Sequence, residues 1–272
     1  MKEASTMFLE EKKCMKTKME ICRNWLPRYT GTAVEDFADY ILLTNFQSYV
    51  DMFAQKLGCE VRGQDRAMQN ATCKEINVSI INFQMGSANA ATVMDLLSAR
   101  NPKAVLFLGK CGGLKKSTEI GHFILPIAAI RGEGTSNDYF PPEVPALPSF
   151  KLHKHISEII IEAGHDYRTG VIYTTNRRVW EHDEAFLKRL MGLTCLGIDM
   201  ETATIFVVGH HNEIARGALL LVSDVPYTPD GVKTEASDKA VNTKWVDTHL
   251  DIGIRALKEL ESKGEPIKHF RY

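Results

Sequence analysis

The sequence predicts an α/β protein, a layered sandwich of helices on a largely buried sheet. Two observations carry that expectation. From Tyr40 onward, runs with the composition of strands alternate with runs of helical periodicity, the pattern of α/β layers. The strand-like runs, such as Ala218 to Val222, are continuously apolar rather than alternating, as in strands covered on both faces. A chain of 272 residues has ample surface to bury such a core.

Taken in order, the first thirty-odd residues read as one or two amphipathic helices, and TGTAVEDF from Thr30 reads as a capped helix start with Thr32 as a possible cap. YILLTNF is a strand, and SYVDMFAQKLG a helix closed by Gly58. CEVRGQDRAMQNATCKEINVSIINFQMG reads as a pair of strands around a polar turn, and SANAATVMDLLSAR as a helix. AVLFLG and HFILPIAAI are strands, followed by the Pro-rich loop TSNDYFPPEVPALPSF. A helix from Leu152 to Gly164, the strand TGVIYTT and the helix HDEAFLKRLMG come next. GIDMETATIF is a helix with an acidic start, and GALLLVSD a buried strand ending in a carboxylate. The last helix runs from about Thr243 to Lys263 with Trp245, Leu250, Ile254, Ala256 and Leu257 on its apolar side. No internal repeat and no Gly-, Pro- or Ser-rich linker interrupts the pattern, so residues 1–39 are expected to form a helical extension and 40–272 a single domain.

A formal charge of −1 argues against nonspecific nucleic-acid binding, and the Lys-rich stretch from Lys12 to Lys18 reads as a solvated helix face. No stretch approaches the roughly 20 apolar residues of a membrane helix, and the start lacks the apolar core of a secretory signal. Cys14, Cys22, Cys59, Cys73, Cys111 and Cys195 are scattered without close spacing, so they are expected to be reduced thiols in a cytoplasmic protein.

Two carboxylates, Glu201 and Asp224, stand out. Asp199 and Glu201 lie where a helix starts, where unpaired amides and the helix dipole favour negative charge. Asp224 falls at the carboxyl end of a strand, the edge where open α/β sheets bind ligands. The alternatives are plain charge compensation at Glu201 and capping of the next turn by Asp224. A second group is LGKCGGL, in which Gly109, Gly112 and Gly113 could adopt positive φ and form an anion-binding nest. It is neither a Walker loop nor GxGxxG, and glycine alone favours a structural turn. IRGEGTSNDYF offers the hydroxyls of Thr135 and Ser136, though by itself it reads as a polar loop. His153 with His155 and His210 with His211 fall in expected helices, where such spacings do not converge on one ion, so no metal site is expected. Cys111 in a glycine-rich nest could be an activated thiol, but small-residue packing explains it better.

In order, NFQMGSANA, VLFLGKCGGL, IGHFILPIAAIRGEGTS, IDMETATIF and LVSD resemble the nucleoside phosphorylase and nucleosidase family, from about Tyr40 to the last helix. The resemblance implies a three-layer αβα sandwich around a central mixed sheet, no cofactor, and a homo-oligomer, a hexamer in this family. YILLTNFQSYVDMF, GEGTSNDYFPPEVPALPSF and VIYTTNRRVWEHDE are similar to the branch that cleaves AMP. Breaking a purine N-glycosidic bond places positive charge on the ribose and negative charge on the leaving base, so a carboxylic acid near N7 can act as general acid. Asp224 is the candidate, with Ser223 orienting it and burial at the strand end raising its pKa. By resemblance Glu201 grips the ribose hydroxyls and Met200 packs against the sugar.

The sequence departs from the hexameric phosphorylases where they hold inorganic phosphate. Their Gly-Asp-Pro-x-Arg segment reads here Thr44-Asn45-Phe46-Gln47-Ser48, and the arginine before their glycine loop is missing from Phe107-Leu108-Gly109-Lys110. Water is therefore the expected nucleophile, with no evident glutamate near the first strand to activate it. A nucleotide needs a partner for its 5′-phosphate, and Arg177 or Arg178 is expected to supply it, with Trp180 stacking near the base. Lys110 and Arg131 are further phosphate candidates, and Asn45, Thr135 and Ser136 further contacts. The expected activity is hydrolysis of AMP. Its alternatives are cleavage or phosphorolysis of uncharged nucleosides, and a non-catalytic nucleotide-binding subunit.

Overall fold

Strands buried on both faces must present apolar side chains to two helical layers, and β1 (Tyr40–Thr44) does so residue by residue. In the computed structural model, which describes residues 16–228 and 231–263, Ile41 and Leu43 enter one core while Tyr40 and Leu42 enter the other. The same alternation runs through β5 (Ala104–Gly113) and β9 (Arg216–Asp224). The first core is closed by α1 (Lys18–Thr30), α3 (Ser87–Leu97) and α6 (Thr202–His211), the second by α2 (Gln47–Leu57), α4 (Phe150–Glu162) and α7 (Glu235–Lys263). The molecule is thus a three-layer αβα sandwich, as expected. Helix α6 is buried along eight of its ten residues, which is why it carries no amphipathic signal. Residues 1–15, with Cys14 and the first part of the Lys-rich stretch, lie outside the described residues.

The remaining strands are β2 (Val61–Arg62), β3 (Asn70–Cys73), β4 (Val78–Asn82), β6 (Phe123–Gly132), β7 (Tyr167–Thr175) and β8 (Gly197–Asp199), and α5 is Glu184–Gly192. The nine strands form one mixed sheet in the order β2-β3-β4-β1-β5-β8-β7-β6-β9, and β9 returns to pair with β5. Strand β5 makes this possible. Its first half pairs with β1, its last two residues pair with β8, and its other edge runs along β9. The parallel strands β1, β5 and β9 consequently open their carboxyl ends towards the same end of the sheet.

Several expectations are corrected. Thr32 starts no α-helix. Its hydroxyl donates to the Asn70 side chain on β3, and only a three-residue 3-10 turn, Val34–Asp36, follows. The segment read as two strands holds three. The segment LGKCGGL is no loop, because β5 continues through it and none of its glycines has positive φ. Asp199 ends β8 rather than opening a helix, and α7 starts at Glu235, a full two turns before Thr243. The N-terminal stretch does carry a helix. Thr17 and Glu20 form a reciprocal capping box on α1, whose Cys22 and Leu26 enter the first core.

Candidate functional site

Strand β9 is apolar from Ala218 to Val222 and then delivers Ser223 and Asp224 to an open cleft. Its register against β5 is irregular, because Cys111 faces Val222 while Gly112 faces Asp224, leaving Ser223 as the extra residue. Such a bulge re-aims the following side chain. Gly112 leaves the space for it, since a Cβ there would lie 3.2 Å from Pro226 and 3.3 Å from Asp224 Oδ2. The glycine therefore serves close approach to a carboxylate, not a positive φ. Ser223 donates its hydroxyl to Asp224 Oδ1 at 2.6 Å, and burial of the carboxyl raises its pKa.

Across the cleft, the link from β8 to α6 positions Glu201. Its carboxylate does not cap its own helix but reaches the start of α3, where Oε1 accepts the Gly86 amide at 2.7 Å and Oε2 accepts the Met200 amide at 3.2 Å. Gly86 holds φ 100°, ψ 155°, a conformation that glycine alone adopts readily. Ser87 fastens the same junction by donating to the Met200 carbonyl at 2.6 Å. Asp199 performs the helix capping, accepting from the Thr202 amide at 2.8 Å, the Thr202 hydroxyl and the Thr174 hydroxyl at 2.7 Å. Burial raises the pKa of both acids, and Asp199's charge raises that of Glu201 further. The three fixed donors on Asp199 favour the charge there. Beside Glu201, Asn45 presents a buried side-chain oxygen without a hydrogen-bond partner.

The cleft holds three cations. Lys110 on β5 is buried, donates to Asp238 at 3.1 Å and to Asn242, and lies 4.3 Å from the centre of the Phe46 ring. Lys233 shares the same Asp238 oxygen at 2.8 Å. Burial lowers the Lys110 pKa, the positive charge of Lys233 adds to that, and Asp238 opposes both. Arg178 lies after β7 and pairs with Glu181 at 3.2 Å. Trp180 contributes to the wall, its ring packed edge-on against Phe186.

The fold thus brings together Asn45, Lys110, Cys111, Gly112, Arg178, Trp180, Asp199, Met200, Glu201, Ser223 and Asp224 of the residues singled out in the sequence. Others it gives structural places. Arg177 points to the start of α5, where it pairs with Asp183 at 2.8 Å and lies over the Phe186 ring. Gly109 is packed in the first core, where a Cβ would strike the Phe107 ring. Ser136 is buried and bound to Glu133, and Arg131 donates to Ser136, Asn137 and the carbonyls of Pro141, Val144 and Phe140, which closes the loop that also holds Thr135. Cys111 borders the cleft but is buried with its pKa raised well above the ordinary thiol value, consistent with packing rather than nucleophilic use. The sequence reading missed Phe46, Met85, Thr175, Glu181 and Lys233 as cleft residues. Glu181 lies in a stretch already recognised as similar to the AMP-cleaving branch, which was the available signal. Lys233 follows no motif.

Comparison with known proteins gives a consistent picture. The family described as the Phosphorylase superfamily matches residues 39–258. AMP nucleosidase of Escherichia coli K12 is 29% identical over 89% of this chain, and the chain spans 59% of that protein's length. The crystal structure of AMP nucleosidase from Bacteroides thetaiotaomicron is 52% identical, with a TM-score of 0.81, covering 91% of this chain and all of that one. Uridine phosphorylase of Vibrio fischeri shares the fold at a TM-score of 0.73 and 20% identity, covering 83% of this chain and 94% of that one.

Proposed function

The chain belongs to the phosphorylase superfamily, and from that premise we propose that it hydrolyses the N-glycosidic bond of AMP to adenine and ribose 5-phosphate. The observation that carries the chemistry is that a buried Glu201 and a partly buried Asp224, set on different elements, line one cleft. Asp224, whose pKa burial raises and whose carboxyl Ser223 orients, donates to N7 as the bond breaks. Glu201 and the unpartnered oxygen of Asn45 accept the ribose hydroxyls, and Met200 covers the sugar face. The likeness to AMP nucleosidases and the paired Lys110 and Lys233 support a nucleotide as substrate. In this reading the 5′-phosphate takes the place of Asp238 between the two ammonium groups. Arg178 is a further contact, whereas Arg177, Thr135, Ser136 and Gly109 play structural parts.

Residues 40–272 form the catalytic domain in this proposal, with 1–39 as a helical extension, and the working form is a cytoplasmic homo-oligomer, a hexamer by resemblance. Among the described residues no helix is long and apolar enough to cross a membrane. One observation favours a second reading, phosphorolysis of uncharged nucleosides. Lys110 sits on the same strand segment that binds inorganic phosphate in the phosphorylases, and two lysines could hold that ion instead. Chromatography of products from AMP, adenosine, inosine and uridine, each with and without phosphate, separates the two. Hydrolysis predicts adenine and ribose 5-phosphate from AMP in phosphate-free buffer, and little product from adenosine. Cleavage that requires phosphate, or that treats adenosine as well as AMP, overturns it. Lys233→Gln should raise the KM for AMP about 10-fold or more, as expected for loss of a charge-assisted contact.

A further inference from the structure

The cleft carries one further carboxylate whose task is unassigned. Glu181 lies between β7 and α5, and its side chain is only 13% exposed. Two donors fix it in place. Its Oε2 accepts the Trp180 amide at 3.0 Å, and its Oε1 pairs with Arg178 at 3.2 Å. Trp180 is itself buried among Tyr173 and Leu190, so the turn that presents Glu181 is anchored in a core. A carboxylate held by an arginine is an acceptor only, and each of its oxygens has a lone pair left for a ligand.

We propose that Glu181 accepts a hydrogen bond from the exocyclic amino group of the purine and thereby selects 6-aminopurine over 6-oxopurine nucleotides. The inference rests on the proposed function, in which Asp224 donates to N7. N7 and the 6-substituent are neighbours on one edge of the purine. Adenine presents there an acceptor and a donor, whereas guanine and hypoxanthine present two acceptors. Matching the adenine edge takes one donor and one acceptor. Two carboxyl groups lining one cleft supply both if Asp224 gives the proton and Glu181 accepts. Burial raises the Asp224 pKa and the charge of Glu181 adds to it, while the Ser223 hydroxyl, Lys233 and Arg178 oppose the rise. Glu181 is paired with Arg178. A 6-oxo base in the same pose would set its oxygen against a carboxylate oxygen, with a buried acceptor on each side and no proton between them.

The test uses the full chain with AMP, IMP and purine riboside 5′-monophosphate, which lacks a 6-substituent, and reads kcat/KM. In the wild type AMP should exceed IMP by about 100-fold or more, with the unsubstituted purine between them, as for sites built around a substrate donor. In Glu181→Gln the amide oxygen can still accept from Trp180 while its NH₂ meets a 6-oxo group. The ratio of AMP to IMP should therefore fall by about 10-fold or more. Equal loss on AMP and IMP in the variant reveals a merely structural residue and overturns the inference, as does a wild type that cleaves IMP as readily as AMP. A wild type that releases base from none of the three overturns the glycosidic reading itself and takes this inference with it.

Discussion

Replacing Asp224 with Asn removes one proton from the cleft and almost nothing else. The Asn oxygen can keep the hydrogen bond that Ser223 donates at 2.6 Å, and the side chain fits the space that Gly112 leaves beside it. Folding is thus expected to survive, because burying an amide is easier than burying a carboxyl whose pKa burial already raises. What is lost is the acid. General-acid catalysis typically contributes about 10²–10⁴-fold, so adenine release from AMP should fall by a factor in that range with little change in KM. The pH profile carries the stronger discrimination. If Asp224 acts as the protonated acid, as proposed, its raised folded pKa means that wild-type activity should be full at low pH and decline as pH rises through that value. Asp224→Asn should lose this decline together with the rate. Initial rates of adenine release at several pH values measure both. A variant that keeps activity within a few-fold, or that shows the same alkaline decline as the wild type, would falsify the assignment of Asp224 as the acid.

Further expectations follow from the supports of the site. Gly86→Ala forces a β-carbon onto φ 100°, ψ 155°, which costs about 1–3 kcal/mol and displaces the amide that holds Glu201. Urea unfolding should show that loss, and the KM for AMP should rise. Arg131→Lys keeps the charge but cannot reproduce five bonds from one planar fork, so stability should drop by about 1–3 kcal/mol in the same assay. Glu201 has a folded pKa raised by burial and by Asp199, so the folded state binds its proton more tightly than the unfolded chain does. The stability that this proton contributes is fully present below the ordinary glutamate range and is lost as pH rises through the folded value. Glu201→Gln should flatten that alkaline loss in urea titrations across pH, and an unchanged slope would assign it to other groups.

Much of the fold was legible because burial on two faces leaves a plain mark. The apolar runs of β1, β5 and β9 could be read directly, and so could the helix closed by Gly58 in a left-handed conformation. What failed was set by partners distant in sequence. Thr32 looks like a helix cap, yet Asn70 on β3 takes its hydroxyl. The LGKCGGL segment has a loop's composition but continues as strand, since pairing with β8 and β9 outweighs the weak preference of glycine for turns. Arg177 and Arg178 cannot be told apart by sequence. Asp183 and Phe186 claim the first and Glu181 turns the second into the cleft. The carboxylates at 201 and 224 were legible through motif and edge position. Lys233 became part of the site only because Asp238, one turn into α7, draws it towards Lys110.

In the proposed reading, the charges of the cleft explain why a dianionic substrate and carboxyls of raised pKa go together. Its wall holds Asp199, Glu201, Glu181 and Asp224 against Lys110, Arg178 and Lys233, a formal excess of one negative charge if every acid is ionised. Burial works against that state. If Asp224 and one member of the Asp199 and Glu201 pair are protonated, the same wall carries one net positive charge. Asp238, which the two lysines share, then completes a neutral cluster and acts as the anion that a phosphate must replace. In that state one arrangement would supply both the proton for the proposed leaving-group chemistry and the positive field for a nucleotide. Raising the pH should remove both at once. The KM for AMP should climb over the range in which the rate declines, whereas the KM for uncharged adenosine should stay nearly flat. A parallel rise for both substrates would place the effect in the fold rather than in the field of the cleft.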